Sequence, residues 1–189
     1  LRAQGEAIEY RYEYNRLAAI DYPRMADVAY AYGEPGASEN RAGRLVQVVD
    51  SSGITTFSYG KLGEEVQRVR RLVSLKHGLG DGTYMESRGF DYLGRVEWLQ
   101  YPDGERLSYA YDRGGQIVQA VGEKQGQRYE YVRQIGYDAF GQRVLLRYGN
   151  GVQTRYRYDP ARRWLQQIHT QTPGSEVLQD CAYGFDRVG

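Results

Sequence analysis

Cysteine and histidine are almost absent from this chain of 189 residues. A single cysteine, Cys181, excludes a disulfide framework within the chain. The two histidines, His77 and His169, lie far apart, and neither has a thiol or carboxylate nearby at the spacing of a metal site. A zinc site needs about four nitrogen, sulfur or oxygen ligands. We therefore expect no metal and no cofactor.

Long apolar runs and an excess of charge of one sign are also lacking. No stretch approaches the length of about 20 apolar residues that spans a membrane, and nothing resembles a signal peptide. The formal net charge of +1 argues against nucleic acid or an anionic membrane surface as a partner. Two arginine clusters are interpreted as solvated sheet faces balanced by neighbouring acidic residues. They comprise Arg68, Arg70 and Arg71, and Arg155, Arg157, Arg162 and Arg163.

Tyrosine and glycine, in contrast, are abundant. The chain has 19 tyrosines and 24 glycines against four phenylalanines and two methionines. Tyrosine favours strands and glycine favours tight turns. The mean hydropathy of −0.70 is low for a domain with a thick apolar core. The composition therefore predicts an all-β fold in which a thin sheet has two partly wet faces.

The sequence repeats itself. A tyrosine is followed three residues later by a turn glycine, and a Tyr-x-Tyr-Asp element ends eleven residues after the first tyrosine. Two copies share this register, which is the signature of a repeat architecture. The first copy comprises Tyr101, Gly104, Tyr109, Tyr111 and Asp112, and the second comprises Tyr148, Gly151, Tyr156, Tyr158 and Asp159.

The second half of the unit starts at an aromatic residue, which we call the anchor. The anchor is followed by Asp or Gly, then by two variable residues, and then by Gly. From Phe90 onward the anchors alternate between spacings of 21 and of 26 or 27 residues, so paired units recur about every 47 residues. The anchors are Tyr32, Tyr59, Phe90, Tyr111, Tyr137, Tyr158 and Phe185. The turn residues include Gly63, Asp91, Gly94, Asp112, Gly115, Asp138, Gly141, Asp159 and Asp186.

Each part of this unit has a physical role in a β-hairpin. Alternation places both rings of Tyr-x-Tyr on one face of a strand. The aspartate opens a four-residue turn by accepting hydrogen bonds from turn amides, and the glycine supplies a positive φ or a bulge. The pattern predicts roughly 13 to 15 antiparallel strands connected in sequence order. Residues 64–76 have nearly helical apolar spacing, but we interpret them as strand because β-branched residues are frequent there.

The repeated unit resembles the YD repeat of Rhs proteins, which also occurs in shell components of bacterial Tc toxins and in teneurins. The resemblance extends from about Glu9 to Gly189 and is clearest over 90–118 and 137–165. It implies antiparallel hairpins in a curved or spiralling ribbon that forms part of a shell. Because residue 1 is leucine and the chain stops partway through a repeat, we expect 1–189 to be a single repeat domain, without a second domain, cut from a larger protein.

The resemblance also implies a function. The shell of such proteins encloses a C-terminal toxin polypeptide for delivery, so the expected partners are the rest of the parent chain and its toxin cargo. The parent would be a secreted bacterial protein that acts at the cell exterior or at a target cell. Relatives carry a C-terminal cleavage motif of the Asp-Pro-x-Gly type, but Asp159-Pro160 lacks the glycine and belongs to a repeat turn.

Candidate catalytic groups have a simpler structural interpretation. Cys181 and His169 act as nucleophile and base only if neighbouring strands bring them together, whereas a cysteine on an alternating strand is typical of a packed thiol. The turn aspartates recur at one repeat position, unlike an active site. The glycine-rich stretch 78–82 lacks the lysine and following helix of a phosphate loop. We therefore predict that the chain is not an enzyme and has no catalytic, metal or cofactor-binding residue.

Two further expectations concern surfaces. Exposed tyrosines that stack on sugar rings would make a carbohydrate- or cell-surface-binding adhesion module, which is the alternative function. Cross-strand tyrosine pairs, each contributing about 0.2–1 kcal/mol, explain the same residues without a partner. Open strand edges at 8–14 and 176–185 predict edge-to-edge self-association. Glu9, Arg11 and Glu13 alternate with the tyrosines of the first edge and form a charged face that opposes it.

Overall fold

The chain folds as one antiparallel sheet whose 15 strands follow each other in sequence order. The computed structural model describes residues 7–73 and 82–186, and these residues contain no helix. The all-β prediction and the predicted meander are confirmed. The strands are β1 (Glu9–Glu13), β2 (Arg16–Asp21), β3 (Val28–Tyr32), β4 (Leu45–Asp50), β5 (Gly53–Tyr59), β6 (Glu65–Leu72), β7 (Thr83–Phe90), β8 (Val96–Gln100), β9 (Arg106–Tyr111), β10 (Ile117–Lys124), β11 (Gln127–Tyr137), β12 (Arg143–Tyr148), β13 (Gln153–Tyr158), β14 (Leu165–Gln171) and β15 (Val177–Ala182).

The ambiguous segment after Tyr59 is a strand where it is described. β6 pairs along its length with β5 and then with β7, so the strand interpretation of 65–72 is correct. Frequent β-branched and long side chains fit a pleated surface that is half buried on both faces. Residues 74–81, which include His77 and most of the glycine-rich stretch, lie outside the described residues.

Irregularities in the strand pairing recur beside the tyrosine anchors. The register shifts between Ala31 and Tyr32, between Ser58 and Tyr59, and between Arg157 and Tyr158. A bulge inserts one extra residue on one strand and increases its local twist. In each case the extra residue lies on the following strand (Val46, Val66 and Gln166), so the bulge stands opposite the anchor, where its strand enters the turn.

Contacts between Cα atoms divide the chain into two compact units. The first comprises Leu1–Arg95 and Leu99–Asp103, and it contains β1 to β7. The second comprises Val96–Trp98 and Gly104–Gly189, and it contains β9 to β15. That 1–189 is one repeat domain stays a prediction.

Very few side chains are fully buried in this sheet. Among the described residues other than glycine, the buried ones are Ala19, Ala120, Leu146 and Thr154. Most strand residues are half buried, because a single sheet layer covers its side chains only with neighbours on the same face. This burial agrees with the thin, partly wet sheet that the low hydropathy predicts.

The two ends of the strand order carry the edges expected from the sequence. β1 is exposed at every residue, and β15 is exposed at all but Cys181. We expect the isolated chain to associate as its concentration rises. The unpaired backbone groups along an edge can form hydrogen bonds with the edge of a second copy of the chain. Sedimentation velocity at several concentrations checks this. Replacing the exposed Leu178 by lysine should reduce association through β15, and a strict monomer over the accessible range would contradict the prediction.

Candidate functional site

The aspartate turns are the most regular feature of the molecule, and Asp138 shows their geometry. The Asp138 amide donates to the Gln142 carbonyl at 2.9 Å, and the Gly141 amide donates back to the Asp138 carbonyl at 3.1 Å. Oδ1 of Asp138 accepts from the amides of Phe140 and Gln142, both at 2.9 Å. The carboxylate thus satisfies amides that the tight turn leaves without a backbone partner.

The same turn recurs along the chain. Oδ1 of Asp91 accepts from the amides of Leu93 and Arg95 at 2.9 and 3.0 Å, and Oδ1 of Asp112 accepts from the Gln116 amide at 2.9 Å. The predicted hydrogen bonds from turn amides to aspartate are confirmed at these positions. The predicted positive φ is found at Gly63, Gly94, Gly104, Gly115, Gly141 and Gly151, with values between 77° and 87°.

The turn after Tyr158 departs from the pattern because no glycine is available at its end. Arg163 takes the left-handed conformation there, with a φ of 63°. The Arg163 amide donates to the Asp159 carbonyl at 2.9 Å, and the Asp159 amide donates to the Trp164 carbonyl at 2.7 Å. Asp159 still accepts from the Ala161 amide at 3.0 Å. The aspartate therefore still accepts a hydrogen bond from a turn amide, even though this turn has no glycine.

The five tyrosine anchors each make a hydrogen bond that sequence reasoning did not anticipate. The hydroxyl donates to a backbone carbonyl 14 to 20 residues earlier in the chain, which ties the end of the anchor's strand to the start of the strand before it. The bonds are Tyr32 to Leu17 at 3.1 Å, Tyr59 to Leu45 at 2.6 Å, Tyr111 to Val96 at 2.6 Å, Tyr137 to Ile117 at 2.9 Å, and Tyr158 to Arg143 at 3.0 Å.

The electrostatics of these phenols suit a permanent donor. Burial, together with the nearby carboxylate of Glu65, raises the pKa of Tyr59 above its ordinary value. Burial likewise raises the pKa of Tyr158. A phenol whose pKa is above its usual value of about 10 keeps its proton at neutral pH. Both hydroxyls therefore donate to the carbonyls they face over the whole physiological range.

Consecutive turns in the second unit are also tied to each other. The Gln116 amide nitrogen reaches the Gly141 carbonyl at 3.5 Å, and that of Gln142 reaches the Arg163 carbonyl at 2.8 Å. The Arg163 guanidinium pairs with the Asp138 carboxylate and lies 4.0 Å from the centre of the Phe140 ring. A sequence signal for these contacts exists, since a long donor directly follows four of the turn glycines: Arg44, Arg95, Gln116 and Gln142.

The turn aspartates make stability depend on pH. Burial raises the pKa of Asp138, but the amides of Gln142 and Phe140 and the Arg163 charge outweigh it, so the net pKa is lowered. In Asp50 the hydrogen bond from Arg70 dominates and holds the pKa well below its usual range. Carboxylates of this kind stabilise the fold above their unfolded pKa of about 3.9, and the contribution is lost as the pH falls through the folded value.

We therefore expect the free energy of unfolding to change little from pH 7 to pH 5 and to fall below about pH 4. Urea titrations at several pH values measure it. The Asp50→Asn variant should lose less stability on acidification than the unmodified chain, because its side chain no longer binds a proton there. Stability that stays constant down to pH 3 would contradict this account.

The two groups considered for nucleophilic catalysis point away from each other. Cys181 lies opposite Ile168, and His169 lies opposite Asp180. Adjacent positions on a strand project to opposite faces, so Cys181 and His169 occupy different faces of the sheet. His169 Nδ1 instead lies 3.5 Å from the Asp180 carboxylate. Over 7–73 and 82–186, no group of three or more His, Cys, Asp or Glu side chains is placed to hold a metal ion.

The repeat-defining residues occupy two settings. Aspartates and glycines lie in turns, whereas the aromatic residues lie in strands or just after them. Tyr59, Phe90, Tyr137 and Tyr148 end β5, β7, β11 and β12; Tyr109 and Tyr111 lie in β9; Tyr156 and Tyr158 lie in β13; Tyr101 follows β8; Phe185 and Asp186 follow β15. Phe185 contacts Trp164, with ring centres 5.0 Å apart.

Within the described part of the chain, no helix is long and apolar enough to cross a membrane.

The fold has solved counterparts. The chain superposes on crystal structures of TcdB2-TccC3 and of TcdB2-TccC3-Cdc42 with TM-scores of 0.80 and 0.79, and on a Photorhabdus luminescens Tc holotoxin pore with 0.80. Sequence identity is 24% in each case, and 97% of this chain is covered. The chain spans only 10% of those chains. No protein-family model matches the sequence, and no curated protein matches it. The hairpin sheet described here is therefore a fold that occurs within Tc toxin complexes.

Proposed function

We propose that this chain is a YD-repeat segment of a larger bacterial shell protein that encloses a C-terminal toxin polypeptide and delivers it outside the producing cell. The observation that carries the proposal is the match of 97% of the chain, at TM-scores near 0.8, to part of Tc toxin complexes. One of the matched structures is a Tc holotoxin pore, so the matched fold occurs in a toxin assembly. The repeat in the sequence supports the same assignment.

The role of the chain in this proposal is structural rather than catalytic. Its recurring carboxylates accept hydrogen bonds within the turns, and its recurring phenols join consecutive strands. Together with the bonds from Gln116 and Gln142 to the following turns, these contacts make each unit depend on its neighbour, which is how repeat proteins build extended walls from short units. A wall of this kind separates a cargo from solvent without any chemistry of its own.

Limited proteolysis of the full-length parent protein tests the proposal. The polypeptide C-terminal to the repeats should resist protease while the repeats are folded, and it should become sensitive when urea unfolds them. The same polypeptide produced alone provides the control, because free segments without a packed core are cut readily. Equal cleavage rates for the enclosed and the free polypeptide would overturn the encapsulation role.

A further inference from the structure

A recess on the face of β12, β13 and β14 stands apart from the shell role. It has a volume of about 410 Å³ and is lined by Val144, Arg155, Tyr156, Arg157, Gln167 and His169. This volume lies within the range of about 300–1,000 Å³ that is typical of small-molecule sites. The recess lies within the second unit, so its geometry depends on three consecutive strands only.

Arg155 and Arg157 give the recess its charge. They lie two positions apart on β13, so both side chains project from the same face, about 7 Å apart along the strand. Both are exposed, and neither has a hydrogen bond or an ion pair to a described residue. Arg155 faces Leu145 on one neighbouring strand and His169 on the other, while Arg157 faces Gln167. No carboxylate therefore lies directly opposite either guanidinium.

The nearest acidic group is already engaged. Asp180 on β15 accepts a hydrogen bond from Gln167 at 2.6 Å and lies 3.5 Å from His169 Nδ1. The Gln167 bond is the main cause that lowers the pKa of Asp180, with smaller contributions from His169 and Arg157. On the face that Arg155 and Arg157 share, their two guanidinium groups outnumber the single carboxylate of Asp180.

This arrangement differs from the other arginine cluster on the sheet. Arg70 pairs with Asp50 at 2.7 Å, and Arg68 pairs with Glu65 at 3.1 Å. The expectation that acidic neighbours balance the arginines is correct for those two residues and for Arg163, which pairs with Asp138, whereas Arg155 and Arg157 form no ion pair with a described residue. Two adjacent guanidinium groups repel each other, and a bound anion relieves that repulsion while accepting bidentate hydrogen bonds.

We propose that this recess binds an acidic sugar through a carboxylate or sulfate group held by Arg155 and Arg157. The Gln167 amide and the His169 ring supply donors and acceptors beside the anion, which suits the hydroxyls of a sugar ring. An acidic peptide fits less well, because β13 is paired on both sides and has no free edge for strand addition. The site offers side-chain groups only, and these are sufficient to hold a small ligand such as a sugar.

Isothermal titration of the 189-residue chain with three related sugars tests this proposal. Lactose is the neutral reference, sialyllactose adds a carboxylate, and sulfated lactose adds a sulfate. We expect at least one acidic sugar to bind at least about tenfold more tightly than lactose, and the two acidic arms show which anion the site prefers. Replacing Arg155 or Arg157 by glutamine should remove most of this preference. Arg71→Gln is the matched control, since Arg71 is an exposed strand arginine outside the recess.

Three outcomes would overturn the proposal. Lactose binding as well as the acidic sugars would show that no anion is recognised. An unchanged preference in the Arg155→Gln, Arg157→Gln double variant would place binding elsewhere. Binding of a short poly-glutamate peptide, without binding of either acidic sugar, would identify a peptide site instead. The circular dichroism spectrum of each variant establishes that the sheet is folded, so a loss of binding reports on the recess.

Discussion

Replacing Gly149 by alanine should destabilise the chain by about 3 kcal/mol, the upper range for forcing extra volume into a packed position. A Cβ at this position would overlap the carbonyl oxygen of Glu130 on β11. The backbone groups are already joined there, since the Gly149 amide donates to the Tyr131 carbonyl at 3.1 Å. Its φ is not positive, so the penalty comes from the close approach of two backbones rather than from conformational strain.

A matched turn glycine provides the control for this substitution. Gly174 lies in the hairpin between β14 and β15, has no positive φ, and would place its Cβ no nearer than 3.8 Å to Thr172 Oγ1. Gly174→Ala should therefore change stability by less than about 0.5 kcal/mol. Urea unfolding measures both variants. If Gly149→Ala is as stable as Gly174→Ala, then β11 does not approach the Gly149 turn as closely as described.

Replacing Tyr111 or Tyr158 by alanine should lower the free energy of unfolding by about 2–3 kcal/mol. This is somewhat less than the loss expected for a fully buried aromatic ring, because both rings are half buried. The effect combines lost ring packing with a carbonyl left without its donor, at Val96 or at Arg143. Urea unfolding of Tyr111→Ala and Tyr158→Ala measures it. Losses near zero at both sites would mean that the rings face solvent and hold nothing together.

The hydroxyl and the ring can be separated by experiment. Tyr158→Phe keeps the ring and removes only the bond to the Arg143 carbonyl, so it should cost about 1 kcal/mol. Tyr92→Ala removes a ring that is 87% exposed at the tip of the Asp91 turn, and it should change stability by less than about 0.5 kcal/mol. Equal effects at Tyr92 and Tyr158 would contradict the role assigned to the anchor tyrosines.

The hairpin architecture follows from the sequence because its determinants are local. Alternating tyrosines set the strands. An aspartate and a glycine three residues apart, as in Asp138 and Gly141, set a turn through the carboxylate of the first and the positive φ of the second. Residues 65–72 are the most ambiguous segment, because their apolar spacing fits a helix as well as a strand. Their pairing with β5 and β7 shows that they form a strand. Local chemistry therefore predicts strands and turns, while pairing resolves the ambiguous segment.

Side-chain contacts between strands are much less predictable. The bond from Tyr111 to the Val96 carbonyl forms beside a bulge in the pairing of β9 with β10, and a bulge leaves little trace in sequence. Whether an arginine is paired is equally non-local, because Arg70 meets Asp50 from 20 residues away, whereas Arg155 meets Leu145 and His169. The recess on β12 to β14 therefore emerges only from the strand register.

Electron cryo-microscopy of the full-length parent protein tests the proposed shell role most directly. The account predicts that residues 9–182 form part of a continuous wall of antiparallel hairpins, with the C-terminal polypeptide as density on the enclosed side of that wall. The edges β1 and β15 should then pair with further hairpins of the same chain. A map in which this sheet stands alone, with the C-terminal polypeptide folded as a separate domain in solvent, would contradict the proposed role.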